Sequence, residues 1–207
     1  MIQSSSLWII TKKKEMTSLY IDGKLTPVTL LEMPEQDVVR YKSVANDWYD
    51  SVVVWYKKKV ASHKKWTTNV TYQKSVEFWY DEDFFTHCPL WSIDFSYVSD
   101  RLVWQPVHVV GNVKGRWYAW VVKRFGVDWG PETHGSKFHR HIWSLWQRKP
   151  RRVMKGHIHA WHMWTNRISI KGKKILAVHD FEWKKYFVIH WSVPGAYNSF
   201  IYIALPR

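Results

Sequence analysis

Cysteine is all but missing from this chain: Cys88 is the single one in 207 residues. An internal disulfide framework and a multi-cysteine metal site are thereby excluded, and a reducing, cytoplasmic setting fits. Long hydrophobic runs are missing as well. The apolar stretch Leu7-Trp8-Ile9-Ile10 is too short for a signal-peptide core or a membrane span, so a soluble, non-secreted protein is expected. Glycine is scarce, at nine residues against the roughly 14 that an average share of about 7% would supply. Tryptophan, by contrast, numbers 16. Acid is missing where base is densest, between Thr133 and His179, where there is no Asp or Glu.

That stretch of 47 residues carries eleven Lys or Arg, so about +11 of the formal net charge of +14 sits in under a quarter of the chain. The run from His134 to Arg152 follows neither a helical nor a strand period, and its few apolar residues cannot offset the entropy of ordering it alone. It needs a partner. Phosphate is the group that rewards Arg forks and Lys point charges together, and the charge as a whole favours a polyanion, either nucleic acid or an anionic membrane surface.

The rest of the sequence reads as short β-branched and aromatic runs with turn punctuation. Residues 18–33 are two extended runs joined through Asp22-Gly23, a pair that tolerates the positive φ of a tight hairpin. Strands are also expected over Val38–Val44, Ser51–Tyr56, 75–80, 90–98, Val107–Val110, Thr165–Ile170, Ile175–Val178, Lys185–Ile189 and Phe200–Ala204. Asn46-Asp47-Trp48 and Asp81-Glu82-Asp83 read as turns, and Lys57 to Tyr72, with Lys57, Lys58, Lys59, Lys64 and Lys65, as a solvated loop or arm. Strands at short intervals predict an all-β (mainly β) fold with few helices. The expected layout is a single domain, a β-barrel over 1–122 and 165–207 with a basic arm of about 123–164 inserted into it.

Histidines at His139-x-His141 and His157-x-His159-x-x-His162 have the close spacing of metal ligands. No carboxylate or thiolate accompanies them, and the surrounding cations disfavour a divalent ion. These imidazoles suit phosphate, sugar and base contacts better. No catalytic set emerges: the glutamates are scattered, no serine sits in a nucleophile elbow, and Cys88 lacks an activating cation. No metal, cofactor or enzymatic activity is expected. Aromatic and His positions alternate with basic ones in Arg116-Trp117-Tyr118 and Lys137-Phe138-His139-Arg140, which suits RNA loops more than duplex DNA. A membrane-active reading is weaker, because prolines and polar residues deny the arm a continuous apolar face. The alternative is a free-standing single-stranded RNA-binding protein that uses tryptophans as stacking platforms.

The ordered set Leu7-Trp-Ile-Ile-Thr-Lys-Lys-Lys-Glu-Met-Thr17, Pro27-Val28-Thr29, Val107 to Lys123, Thr133-His134-Gly135-Ser136, Arg152-Val153-Met154-Lys155-Gly156 and Val193-Pro194-Gly195-Ala196 resembles the universal large-subunit ribosomal protein L-three family. The resemblance covers most of the chain and is poor over 57–105. It implies a translation-protein-type β-barrel on the ribosome's outer face, with an arm threading between rRNA helices toward the peptidyl-transferase centre. It also implies large-subunit rRNA and neighbouring ribosomal proteins as partners, an early role in assembly, and no catalysis. Carried over by position, Lys114, Gly115, Arg116, Lys123 and Arg124 would sit at the arm's base. His134, Gly135, Ser136, Lys137, His139, Arg140, Arg148, Lys149, Arg151, Arg152, Lys155 and Gly156 would line the arm, and Arg167 would close the basic set.

One departure from the family pattern is systematic: Trp8, Trp48, Trp117, Trp120, Trp143, Trp146, Trp161, Trp164 and Trp191 stand where it asks for glycine. Several are at turns or close approaches, where glycine's missing Cβ is the useful property. A genetic code in which UGA means glycine, read here as tryptophan, explains both the excess and the deficit.

Overall fold

The computed structural model describes residues 5–60, 69–80, 82–142, 144–145 and 148–206. Lys64, Lys65, Asp81, Trp143 and Trp146 of the sequence reading lie outside them. In chain order the elements are β1 (Ser5–Ile21), β2 (Lys24–Met33), β3 (Gln36–Lys42), α1 (Val44–Asp47), β4 (Ser51–Val60), β5 (Asn69–Phe78), α2 (Glu82–His87), α3 (Phe95–Leu102) and β6 (Pro106–Asn112). They continue with β7 (Arg116–Ala119), α4 (Val121–Phe125), β8 (Trp161–Met163), β9 (Arg167–Phe181), β10 (Lys184–His190) and β11 (Phe200–Pro206). Two compact units result, one of residues 1–112 with 167–207 and one of 113–166.

In the first unit six antiparallel strands close a barrel in the order β1-β11-β6-β9-β10-β2, with β2 returning to β1. Closure leaves no exposed sheet edge. Alternate residues supply the core as strand geometry requires: Val107 and Val109, Phe187 and Ile189, Ile201 and Ile203 are buried. A three-stranded sheet, β3-β4-β5, adds Val38, Val52, Val54, Val76 and Phe78 to the same core. Gln36 stitches it to the barrel, accepting from Ile10 N at 3.0 Å and donating to Ile10 O at 2.8 Å. This buried amide therefore completes a strand-like ladder. The opening lysine run is also structural. Lys13 Nζ donates to the carbonyls of Val193 at 2.8 Å and Gly195 at 3.1 Å, and Lys14 donates to Asn198 at 2.9 Å and pairs with Glu32 at 2.8 Å.

The mainly β fold matches expectation, and several local readings do not. Residues 57–60, expected in a loop, continue β4 and pair with 69–72 of β5. Residues 90–98, expected as a strand, contain the start of α3. There Asp94 caps the helix by accepting from Ser96 N at 3.0 Å, and Val98 and Leu102, one helical turn apart, are buried. Of the turn expected over Asp81-Glu82-Asp83, Glu82 and Asp83 instead open α2. The two strands expected over 165–178 are one, because Gly172 at φ +71° lets β9 continue through the anticipated break.

Backbone conformation singles out five tryptophans. Trp48, Trp91, Trp104, Trp183 and Trp191 have φ between +63° and +70°, the left-handed region that costs an ordinary residue about 1–2 kcal/mol. Two have glycine counterparts elsewhere in the chain. The turn from β1 to β2 uses Asp22 at +51° and Gly23 at +74°, and the turn from β9 to β10 uses Glu182 at +46° and Trp183 at +66°. Helix α4 ends at Gly126, φ +69°, whose N–H bonds to Val122 O, and α1 ends at Trp48, φ +70°, whose N–H bonds to Val44 O. Among the described residues no tryptophan belongs to the buried core. Trp48 is 91% and Trp117 87% exposed, and Trp183 is fully exposed.

Candidate nucleic-acid interface

The second unit has almost no core of its own: Ala119 and Val121 are its only buried hydrophobics among the described residues. Strands β7 and β8 pair antiparallel, Arg116 opposite Met163 and Ala119 opposite Trp161. Close by, a Cβ on Gly115 would lie 3.1 Å from Thr165 Cγ2. Helix α4 follows and stops at Gly126. Arg124 Nη1 donates to His159 O at 2.7 Å, so this guanidinium ties the helix to a segment 35 residues further on. The intervening chain is mostly irregular and is folded by local bonds. Gly130 N donates to His139 O at 3.0 Å, and a Cβ on Gly130 would fall 1.8 Å from Phe138 O. Ser136 N bonds to Thr133 O around a turn at His134 and Gly135, φ +57° and +72°. A second turn, His157 N to Met154 O, passes through Lys155 and Gly156 at φ +78°.

Eleven Lys and Arg in this unit stand against Asp128 and Glu132. Lys114, Arg116, Lys123, Lys137, Arg140, Arg148, Lys149, Arg151, Arg152 and Lys155 are exposed, as are Gly115, His134, Gly135 and Gly156; Arg124, Ser136 and His139 are half-buried. Among the described residues the ion pairs Lys14–Glu32, Arg40–Asp47 and Lys42–Glu77 all belong to the first unit. The arm's positive charge is thus not neutralised by carboxylates. Arg140 lies 5.0 Å from the centre of the Trp129 ring, and His139 Nδ1 is shielded from solvent with no hydrogen-bond partner among the described residues. Arg167 falls in the first unit, where it opens β9 with its guanidinium 5.6 Å from the Tyr202 ring.

Large ribosomal subunit protein uL3 of Streptococcus uberis (strain ATCC BAA-854 / 0140J) is 31% identical over 198 residues, covering 94% of this chain and 94% of that protein. Its counterpart in Streptococcus mutans serotype c (strain ATCC 700610 / UA159) is 30% identical with the same coverage. No family model matches the chain. The chain belongs to the uL3 family. As a uL3 protein it is a structural constituent of the large ribosomal subunit and not an enzyme, which sets aside the free-standing single-stranded RNA-binding alternative. Cys88 is fully buried, and burial pushes its thiol above the ordinary range, away from a reactive thiolate. No helix among the described residues is long and apolar enough to cross a membrane. No group of three potential metal ligands gathers among them either.

The structure of this uL3 chain brings together side chains that sequence reasoning named in separate motifs. A cavity of about 480 Å³ in the second unit is lined by Tyr118, Phe138, Arg140, His141 and His159, among others. Its sequence signals were the alternation of basic and aromatic residues around Phe138 and the closely spaced histidines, neither of which marks a cavity.

Proposed function

We propose that this chain binds large-subunit rRNA chiefly through the arm, about 123–164, and its base, with the barrel as anchor. Lys114, Arg116 and Lys123 would meet phosphates at the base. Lys137, Arg140, Arg148, Lys149, Arg151, Arg152 and Lys155 would meet them along the arm, while Gly115, Gly135 and Gly156 let the backbone come close. Ser136, His134 and His139 offer hydrogen bonds to phosphate or sugar, and Arg124 acts by holding α4 in place. The observation that carries this reading is a unit with eleven cations and, among its described residues, two buried hydrophobic side chains. Such a segment has too little apolar contact to offset the cost of ordering it, and counter-charge from RNA supplies what is missing. The family resemblance adds to this reading an arm that reaches toward the peptidyl-transferase centre and an early role in assembly. The test is incorporation: Arg151→Glu, Arg152→Glu and Lys155→Glu together should abolish co-sedimentation with large subunits while the barrel stays folded. Undiminished incorporation would overturn the arm as anchor.

We also propose that many of the tryptophans are glycines in the native protein, encoded by UGA. In support, five lie in the left-handed region, and Trp183 and Trp48 occupy the same structural positions as Gly23 and Gly126. Type I′ hairpin turns and helix C-termini both favour glycine there. Genuine indoles stacking on RNA bases would account for exposed rings in the arm. They do not account for positive φ at Trp183 between two barrel strands. Peptide mass spectrometry of the native protein decides the matter: glycine masses at positions 48 and 183 are expected, and intact tryptophan there, or UGG codons in the gene, would refute recoding.

A further inference from the structure

The acids of this chain are as unevenly placed as its bases. The 24 residues from Glu77 to Asp100 contain six Asp or Glu and no Lys or Arg, in a chain whose net charge is +14. The fold lays part of that stretch along the outer edge of β3, the first strand of the three-stranded sheet. Tyr41 Oη donates to Cys88 O, Trp91 N donates to Val38 O at 2.8 Å, and Ile93 lines one recess with Gln36. These pairings keep step, so residues 88–93 run antiparallel beside 36–41. Together they form one continuous band about 17 Å long, at about 3.3 Å per residue. At one end of it Tyr41, Tyr80 and Phe85 cluster, with the Tyr41 ring centre 5.0 Å from Tyr80 and 4.8 Å from Phe85, and Phe85 is 56% exposed. At the other end is a recess of about 360 Å³, lined by the acids Glu35 and Asp37 and walled by Met33, Pro34, Ile93 and Phe95. Asp83 precedes Phe85 by two residues and Asp94 stands between Ile93 and Phe95, and both are exposed.

Phosphate is repelled by such a band, and a purely apolar partner would strip water from its carboxylates without replacing it. A cationic partner meets both demands, its charge facing the carboxylates and its alkyl stems and guanidinium planes facing the rings. Rings beside the band already hold cations of the chain itself. Lys185 Nζ lies 3.9 Å from the centre of the Phe95 ring, and Arg101 lies 5.5 Å from that of Tyr97 and donates to its hydroxyl at 2.6 Å. The two cations of β3, Arg40 and Lys42, are engaged by Asp47 and Glu77. We propose that this acidic, aromatic band is a protein-docking face that takes an extended Lys/Arg-rich segment of a neighbouring large-subunit protein. Trp91 and Trp183 border it; with glycine at both positions the carboxylates and the rings of Tyr41, Tyr80, Phe85 and Phe95 remain. The band lies wholly in the first unit, so it stands independently of the arm's role.

Two measurements test this. In intact large subunits, carbodiimide coupling, which joins a carboxylate to a lysine amine in contact with it, should link Glu35, Asp37 or Asp83 to a lysine within a Lys/Arg-rich segment of another subunit protein. Coupling confined to the chain's own lysines, or ultraviolet cross-linking of Tyr80 or Phe85 to rRNA, would overturn the proposal. In solution, the full chain should bind a labelled peptide of alternating Arg and Ala, and failure to bind it would count equally against the face. Glu35→Gln with Asp37→Asn should weaken that binding about fivefold, and Phe85→Leu, which keeps the apolar bulk and loses the ring, about threefold. Glu15→Gln with Asp22→Asn makes the same change in charge at exposed positions on β1 and in the turn after it and should leave the affinity unaltered. An equal loss in that control would reduce the effect to net charge, and no loss in Glu35→Gln with Asp37→Asn would remove the recess from the site; either result overturns the docking face.

Discussion

Replacing Trp183 by glycine in a chain made with the standard genetic code should stabilise the barrel, and the hairpin between β1 and β2 shows why. Both turns join paired strands through two residues of positive φ, and at the second position one has Gly23 at +74° and the other Trp183 at +66°. A side chain there costs about 1–2 kcal/mol. The indole at 183 is fully exposed, so removing it forfeits no buried area. Glycine's extra freedom in the unfolded chain takes back about 0.4–1 kcal/mol, leaving a net gain of about 1 kcal/mol. Trp48→Gly at the end of α1 should behave alike, and the two sites share no element, so their gains should add. Urea unfolding measures this through a higher midpoint at unchanged slope. The decisive control is Trp183→Ala, which keeps the Cβ and should gain little, with Gly23→Ala losing about what Trp183→Gly gains. If Trp183→Ala were as stabilising as Trp183→Gly, bulk and not backbone conformation would be the cause, and the argument for glycine at these turns would fail. If all five left-handed tryptophans are strained, about 5–10 kcal/mol is at stake, comparable to the whole stability of an ordinary domain.

Without rRNA, amides over 126–160 should exchange rapidly, whereas those of Phe187–Ile189 and Ile201–Ala204 should exchange only through global unfolding; slow exchange across the arm would reveal a core that Ala119 and Val121 do not explain. Gly130→Ala places a Cβ against the Phe138 carbonyl and should open the loop closed by Gly130 and His139, weakening rRNA binding without moving the barrel's unfolding midpoint. Phe187→Ala, in a site with no solvent exposure, should cost about 3–5 kcal/mol, and a loss under about 1 kcal/mol would contradict a packed barrel interior.

The parts of this fold legible in the sequence are those whose signals are local. Asp22-Gly23 announced its hairpin, and short β-branched and aromatic runs announced β6, β10 and β11. Barrel closure was inferred only as a class, because pairing Leu7 with Leu205 and Ile9 with Ile203 joins the two ends of the chain and leaves no mark on either. Helix α3 was hidden by the apolar run preceding it, although Asp94 and Ser96 already formed a cap signal. The lysines at 57–59 read as a loop because their charge masks a strand that pairing with Val70, Thr71 and Tyr72 forms. Among the tryptophans singled out, Trp48 and Trp191 are in the left-handed region, while Trp117, Trp120, Trp161 and Trp164 are not, and Trp91, Trp104 and Trp183 were missed. Spacing therefore does not measure φ, and a close approach and a left-handed turn select glycine through different physics.

The basic residues divide along the same line. Charge density located the arm from sequence, yet it treated Arg124, Lys123 and Arg167 as equivalent. The structure separates them, because Arg124 donates to His159 O and Arg167 lies over Tyr202, while Lys123 is exposed. An Arg124→Lys change would keep the charge and lose the planar fork that reaches the carbonyl. It would thus perturb the seat of α4 while leaving the salt slope of binding nearly unaltered. Lys123→Gln would do the reverse. The same reasoning explains why Lys171, Lys173 and Lys174 could be counted in the sequence but not assigned to a surface. Lys173 is paired with the buried Val107 and Lys174 with the exposed Pro106, so the two project to opposite sides of β9, and a charge count carries no information about which side of a strand a residue takes.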